Sequence, residues 1–389
     1  MNRGRLAALV AFASFVALGL PEAVVATAWP DMAADLDRSI GDLQWLLVSY
    51  TAGYLLSSAP AGAAVSRVGV RVTASGGLAV AMVGLTLYAL GPTFPVVVLA
   101  GFLVGCGAGP LDTALNVWAG TRGPRVMNLL HAFFGVGTTL GPPLAVAAAA
   151  LSTWRGAYWA LVAVDAVLLV AVWSIGPDHR PPPAEDHPSE RTNGAFGSAT
   201  ALILGTFAIY VAVEATAGAW GVSFLTDQHD LSHSAAGFAI AGYWGALTIG
   251  RVALGLFGST VRPRRVLVSG SVGSIVACGL IAVGGRGGAV VGLILLGLCL
   301  AGIFPALMLL TPEMVGPSRA PLVVGWSLSA SGISFGLAAI AVGQQVDRAG
   351  LGVVPANLLL GSALLAVLVA VLVRRPALDR TRPSSATFG

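Results

Sequence analysis

The chain has 389 residues, of which 56% are hydrophobic and 10% charged, with a mean hydropathy of +0.85. That composition excludes an ordinary water-soluble domain and points to a bilayer, where segments of about 20 apolar residues cross the hydrocarbon. The net charge of +4 rests on arginines, whose distribution over the loops accounts for it without a nucleic-acid partner.

Twelve crossing segments are expected, over residues 6–29, 43–65, 70–90, 95–119, 126–151, 155–175, 199–224, 235–256, 264–284, 288–311, 321–344 and 352–373. Arg3 and Arg5 before an apolar run ending in Ala26, Thr27 and Ala28 have the outline of a secretory signal. The run is too long for a signal core, contains Glu22 and precedes eleven further spans, so it reads as a retained helix. In the second segment Tyr50 and Tyr54 are aromatic candidates.

The fourth segment closes with GPLDTALNVWAG, residues 109–120. An Asp at the centre of a membrane helix costs about 2.5–3.5 kcal/mol on insertion scales, so Asp112 should face a cavity or a partner. Asn116, four residues on, shares its helix face. A cavity role and a structural hydrogen bond between the two are both open. Gly105, Gly107 and Gly109 permit close helix approach, Asn128 and His131 share a face of the fifth segment, and Gly141, Pro142 and Pro143 should bend it. The sixth segment carries Asp165.

The stretch GPDHRPPPAEDHPSERTNGAFGS, residues 176–198, is Pro-rich and polar and reads as a connection between six plus six helices. Its His179 and His187 read as solvated. Beyond it, Tyr210, Glu214 and Trp220 lie in the seventh segment and Tyr243, Trp244 and Arg251 in the eighth. Arg251 either balances a carboxylate or an anionic substrate, or snorkels to the membrane surface. Among aromatics that include Trp29, Trp118 and Trp326, the deeper Tyr210, Tyr243 and Trp244 are the candidates for a sugar platform, against the interfacial belt common in such proteins. Cys106, Cys278 and Cys299 lie inside spans without metal-ligand spacing, so neither a metal nor a cofactor is expected.

If the N-terminus is cytoplasmic, the outer loops hold only Arg38, Arg155, Arg286 and Arg348, Arg251 lies within a span, and the other 16 of the 21 basic residues fall on the inner side. This satisfies the positive-inside rule with both termini in the cytoplasm. The halves also match at an offset of about 192 residues: Glu22 with Glu214, Tyr50 with Tyr243, Arg71 with Arg264, and Gly105 with Gly297. At that offset Asp112 faces Phe304 and Arg251 faces Ser58, so each half keeps one charge its duplicate lacks. Two related bundles around an axis along the membrane normal are the architecture of an alternately opening cavity.

The loop GAAVSRVGVR, Gly62 to Arg71, resembles the signature between the second and third helices of the major facilitator superfamily, with Gly62, Arg67, Gly69 and Arg71 in place as gating residues. Ser66 stands where that pattern has Asp, which removes a carboxylate of the family's cytoplasmic charge relay. The acid and Asn of the fourth segment, NLLHAFFGVGTTLGPPL in the fifth and YVAVEATAGAW in the seventh are similar to the branch containing the fucose:proton symporter. The resemblance implies an all-α polytopic fold of two six-helix bundles related by a pseudo-twofold, over 1–175 and 199–375, with a cytoplasmic linker at 176–198 and a tail at 376–389. It places the first, fourth, seventh and tenth helices beside the cavity and the sixth, with Asp165, at the periphery. Its coupling acids lie in the first and fourth helices, matched here by Glu22 and Asp112, although Glu stands for Asp in one and Asp for Glu in the other.

A secondary active transporter of a small polar, sugar-like solute is therefore expected in the inner membrane, working by alternating access as a monomer among membrane lipid, and proton-coupled. Asp112, Glu22 and Glu214 are its expected proton carriers. Asn116, Asn128, His131, Tyr210, Tyr243, Trp244 and Arg251 are the expected substrate contacts. The alternative is proton-driven efflux of a drug-like amphipathic compound. No zinc-protease, nucleophile-elbow or phosphate-loop motif is present, so an enzyme is not expected.

Overall fold

Inside a bilayer every backbone N–H and C=O must pair within the protein, and a long apolar run achieves this most simply as a helix. The computed structural model describes residues 3–122, 124–178, 197–257, 262–316 and 319–375, with the side chains of residues 124, 125, 128, 255–257, 321 and 322 outside the description. The described residues are helical almost throughout: α1 (Arg3–Asp35), α2 (Leu43–Val68), α3 (Val70–Leu90), α4 (Phe94–Gly120), α5 (Pro124–Leu151), α6 (Arg155–Ile175), α7 (Ser198–His229), α8 (His233–Phe257), α9 (Pro263–Val283), α10 (Gly285–Leu300), α11 (Ile303–Val315), α12 (Ala320–Ala349) and α13 (Val353–Arg374). α10 and α11 form one crossing interrupted at Ala301 and Gly302, so twelve crossings result. Eleven are long and apolar enough on hydropathy; α2 falls short because Tyr50, Thr51, Tyr54, Ser57 and Ser58 dilute it. α1 and α7 run about a turn or more past their expected ends, to Asp35 and His229. α5 continues through Pro142 and Pro143 to Leu151.

Chain order puts the linker, Arg3 and Arg374 at one end of the helices, here the linker end, and the turns at Leu36–Asp42 and Asp230 at the far end. α1 packs on α5 and α6, and α4 on α2 and α3; in the second half α7 packs on α12 and α13, and α9 on α10 and α13. The sequence repeat is physical. A Cβ on Gly105 would land on the Tyr50 carbonyl oxygen, and one on Gly297 would land on the Tyr243 carbonyl oxygen, so both glycines let helices touch backbone to backbone. Arg71 donates to the Gly176 carbonyl at 3.5 Å and Arg264 to the Val373 carbonyl at 2.9 Å, each fastening the end of its own half's last helix.

The halves meet through α1 with α7, α5 with α8, and α2 with α12. At the far end Ser39 donates to the Asp347 carboxylate at 2.6 Å and His233 lies 3.5 Å from Asp31, both across the seam. Farther down, Gly343 packs on Gln44, Gly336 faces Thr51 and Gly332 faces Leu55. Toward the linker end, Gly62 and Gly325 have no atom in reach. Consistently, every residue of α1 from Ala23 to Trp29 and of α7 from Thr216 to Leu225 is buried. The seam is thus closed at the far end and parts toward the linker end.

Tryptophans divide differently from the expected belt. Trp29, Trp118 and Trp220 are buried in the helix core, whereas Trp45, Trp159 and Trp173, near span ends, are the exposed ones. His179, His187 and the tail from residue 376 lie outside the described residues.

Candidate functional site

In the first half the centre is Asp112 on α4. Its carboxylate accepts from the Tyr54 hydroxyl of α2 at 2.5 Å and from the Asn116 amide at 2.7 Å. The i, i+4 spacing aims Asn116 back at Asp112, and Gly105 and Gly109 bring α2 close enough for Tyr54 to reach. The structural hydrogen bond is therefore present, and it holds the carboxylate in a fixed pose. Tyr50, one turn from Tyr54 with its ring 6.4 Å away, lies within electrostatic reach of both Asp112 and Glu22.

In the second half Glu214 on α7 accepts from Arg251 on α8 at 3.1 Å, and from the Tyr210 hydroxyl. The Tyr210 oxygen in turn accepts from Arg251 at 2.6 Å. Tyr243 donates to the Glu214 backbone carbonyl at 3.0 Å, tying α8 to α7 at the same level. Arg251 therefore balances a carboxylate inside the membrane and does not reach away from it. Its Nε is buried without a hydrogen-bond partner, as are Trp244 Nε1 and Thr248 Oγ1. Positions 244, 248 and 251 are spaced i, i+4 and i+7, which places these three unpaired groups on one stripe of α8. Buried polar groups are normally paired, so a stripe of unpaired ones asks for a polar ligand or water.

Glu22 on α1 lies within electrostatic reach of Glu214 and Arg251 across the seam, and His131 on α5 within reach of Asp112 and Arg251. His131 is exposed, with its ring edge-on to Phe15 at 5.6 Å. Glu22 immediately precedes the all-buried stretch of α1, and Glu214 stands two residues before that of α7.

Of the residues singled out from sequence, Glu22, Asp112, Asn116, His131, Tyr210, Glu214, Tyr243 and Arg251 come together in this way. Trp244 is buried, edge-on to Tyr243 with ring centroids 4.9 Å apart and packed against Gly218, so its ring faces α7. The Asn128 side chain lies outside the described residues. Gly62, Arg67, Gly69 and Arg71 lie apart from the cluster, at the linker end: Gly69 takes φ +87° between α2 and α3, Arg71 pairs with Asp178 at 3.3 Å, and Arg67 is exposed. Ser66 donates to the Ala63 carbonyl at 2.9 Å. Sequence reasoning named Tyr54 only as an aromatic and missed Thr248. The signal for Thr248 was its spacing from Trp244 and Arg251.

No cluster of three or more His, Cys, Asp or Glu able to hold a metal occurs among the described residues. The family model described as Major Facilitator Superfamily matches residues 7–201 and again 202–388. The sodium-dependent glucose transporter 1A of Mus musculus is 22% identical over 308 residues, 69% of this chain and 72% of that protein. An uncharacterised MFS-type transporter of Mycobacterium tuberculosis is 30% identical over 167 residues, 41% of this chain and 24% of its own length. Among solved structures, a mutant of the nucleoside transporter NupG superposes with a TM-score of 0.79 at 15% identity, covering 95% of this chain and all of that one. A bacterial homologue of the human lysosomal transporter Spinster, in an inward-facing and occupied conformation, gives 0.73 at 16% identity over 96% of this chain and 95% of its own.

Proposed function

Because the chain belongs to the major facilitator superfamily, a family of multi-pass membrane transporters and not of enzymes, we propose that it carries a small polar, sugar-like solute through the seam between its halves by alternating access. The observation that carries this reading is the buried Arg251–Glu214 pair, whose Arg251 Nε is left without a partner on the α8 stripe it shares with Trp244 and Thr248, within electrostatic reach of Glu22. A polyhydroxylated solute both donates and accepts hydrogen bonds, so one molecule satisfies the Arg251 Nε–H and the carboxylates together. The names of the sugar and nucleoside transporters that this chain is similar to support the same class.

The coupling ion in this proposal is a proton. Asp112, Glu22 and Glu214 are costly ionised in a dry occluded state; protonated, they are neutral and become hydrogen-bond donors. Solute and proton then stabilise one another's binding without covalent chemistry. The sodium-dependent relatives favour a second reading, in which Na⁺ replaces the proton. The bias of arginines to the linker end supports a cytoplasmic location of both termini in an inner membrane, and the state described is then open to the cytoplasm. A single chain encloses the seam, which supports action as a monomer.

Purified protein in liposomes, tested by counterflow with labelled hexoses, deoxyhexoses and nucleosides, decides the solute. Uptake driven by an imposed pH gradient and abolished by a protonophore is expected; uptake that follows a sodium gradient instead selects the second reading. Flux of drug-like cations alone, outward and driven by protons, establishes the efflux alternative and overturns the proposal, as does solute binding without flux.

A further inference from the structure

Asp165, at the middle of α6, lies outside the cluster described above and is 5% exposed. Beside it is a cavity of about 20 Å³ bounded by Ala17 and Pro21 of α1, Tyr50 of α2, and alkyl side chains of α3 and α4. Such a space holds a water once it exceeds about 10–15 Å³, provided two to four polar partners are present. Three oxygen-bearing groups belong to its lining residues: the Asp165 carboxyl, the Tyr50 hydroxyl and the Ala17 carbonyl. The last is freed because Pro21, four residues on, has no N–H to give it. No arginine or histidine lines the cavity, and Tyr50 is the one other titratable group among its lining residues, so nothing described there balances a negative Asp165.

An uncompensated carboxylate at this depth is too costly to keep, so the charge is cancelled by a bound cation or by protonation. Three oxygens around a space for one water are too few to replace the hydration shell of a sodium ion. We infer that Asp165, one water and the Tyr50 hydroxyl form a proton-holding site that is separate from Asp112, Glu22 and Glu214. Tyr50 lines this cavity one turn before Tyr54, whose hydroxyl the Asp112 carboxylate accepts.

The site is read without any solute and so stands or falls independently of the proposed function. Infrared difference spectra of purified protein through a pH titration should show a protonated-carboxyl stretching band at neutral pH, which Asp165→Asn removes. Tyr50→Phe, which keeps the ring and the packing, should shift that band by changing the hydrogen bonding of the carboxyl, and it provides the same reading if the Asp165 variant fails to fold. An Asp165→Asn spectrum superimposable on wild type in this region, or a band that Tyr50→Phe leaves unmoved, overturns the inference. Loss of the band on adding sodium chloride at constant pH, with release of a proton, also overturns it by making the occupant sodium.

Discussion

The Arg251 guanidinium lies 3.1 Å from the Glu214 carboxylate, yet its Nε keeps a buried N–H with no partner. The pair is therefore saturated on one side and open on the other. Removing one member of a buried pair strands the other's charge, whereas removing both strands nothing. Arg251→Met should lower folding stability by about 3 kcal/mol, and adding Glu214→Gln should recover most of it. Thermal unfolding in one detergent checks both.

Glu214 should also contribute to affinity. For a hydrogen bond to a charged group the loss on Glu214→Ala is about 1.5–3 kcal/mol, or roughly ten- to a hundred-fold in Kd. Glu214→Gln should lose less if hydrogen bonding is the role, and equal losses would assign the role to charge. Unchanged affinity in both folded variants would remove Glu214 from the site.

Asp112→Asn keeps an acceptor for Tyr54 and a partner for Asn116 but cannot change charge. Ion-driven accumulation should fall to background while solute exchange persists. Uphill uptake equal to wild type in liposomes would show that Asp112 carries no proton.

The contact of Gly105 with the Tyr50 carbonyl leaves no room for a methyl group. Gly105→Ala should destabilise by about 1–3 kcal/mol, as overpacking does, and Gly297→Ala, its duplicate, by a similar amount. Gly62→Ala, with open space around it, should be near neutral in the same unfolding assay.

At the far end, Asp347→Ala removes the acceptor for Ser39 and should weaken the closed seam by about 1 kcal/mol, roughly a fivefold shift in population. A maleimide reacting with a cysteine substituted for Thr51, which faces Gly336 in the seam, should label faster in this background. An unchanged labelling rate would show that this contact does not hold the seam.

The twelve crossings were legible because hydropathy is a sum over many residues, and Glu22 and Glu214 were legible because duplication placed them at equal depth. What the sequence left open was contact. Tyr54 and Thr248 are ordinary helix residues whose roles depend on what stands opposite: the Asp112 carboxylate for one, and the bare backbone of Gly135 for the other. The partner of Arg251 was likewise undecided, since reaching the membrane surface and pairing within it demand the same side chain. The lengths of α1 and α7 were underestimated because their last turns lie beyond the apolar run and are held by contacts of the far end, such as that of Arg155 with Asp35 at 2.5 Å. The buried Trp29, Trp118 and Trp220 show that an indole near a span end is no guide to whether lipid or protein covers it.

Arg71 grips the carbonyl of Gly176, just past α6, and Arg264 grips that of Val373 in α13, so each half closes upon itself through a bond made within that half. The covalent link beyond Asp178 is then not what keeps either last helix in place. Two polypeptides cut within it, produced together in one cell, should find each other along the α1–α7, α2–α12 and α5–α8 contacts and reconstitute the carrier. The connection would thus act as a leash that sets encounter frequency and does not dictate shape.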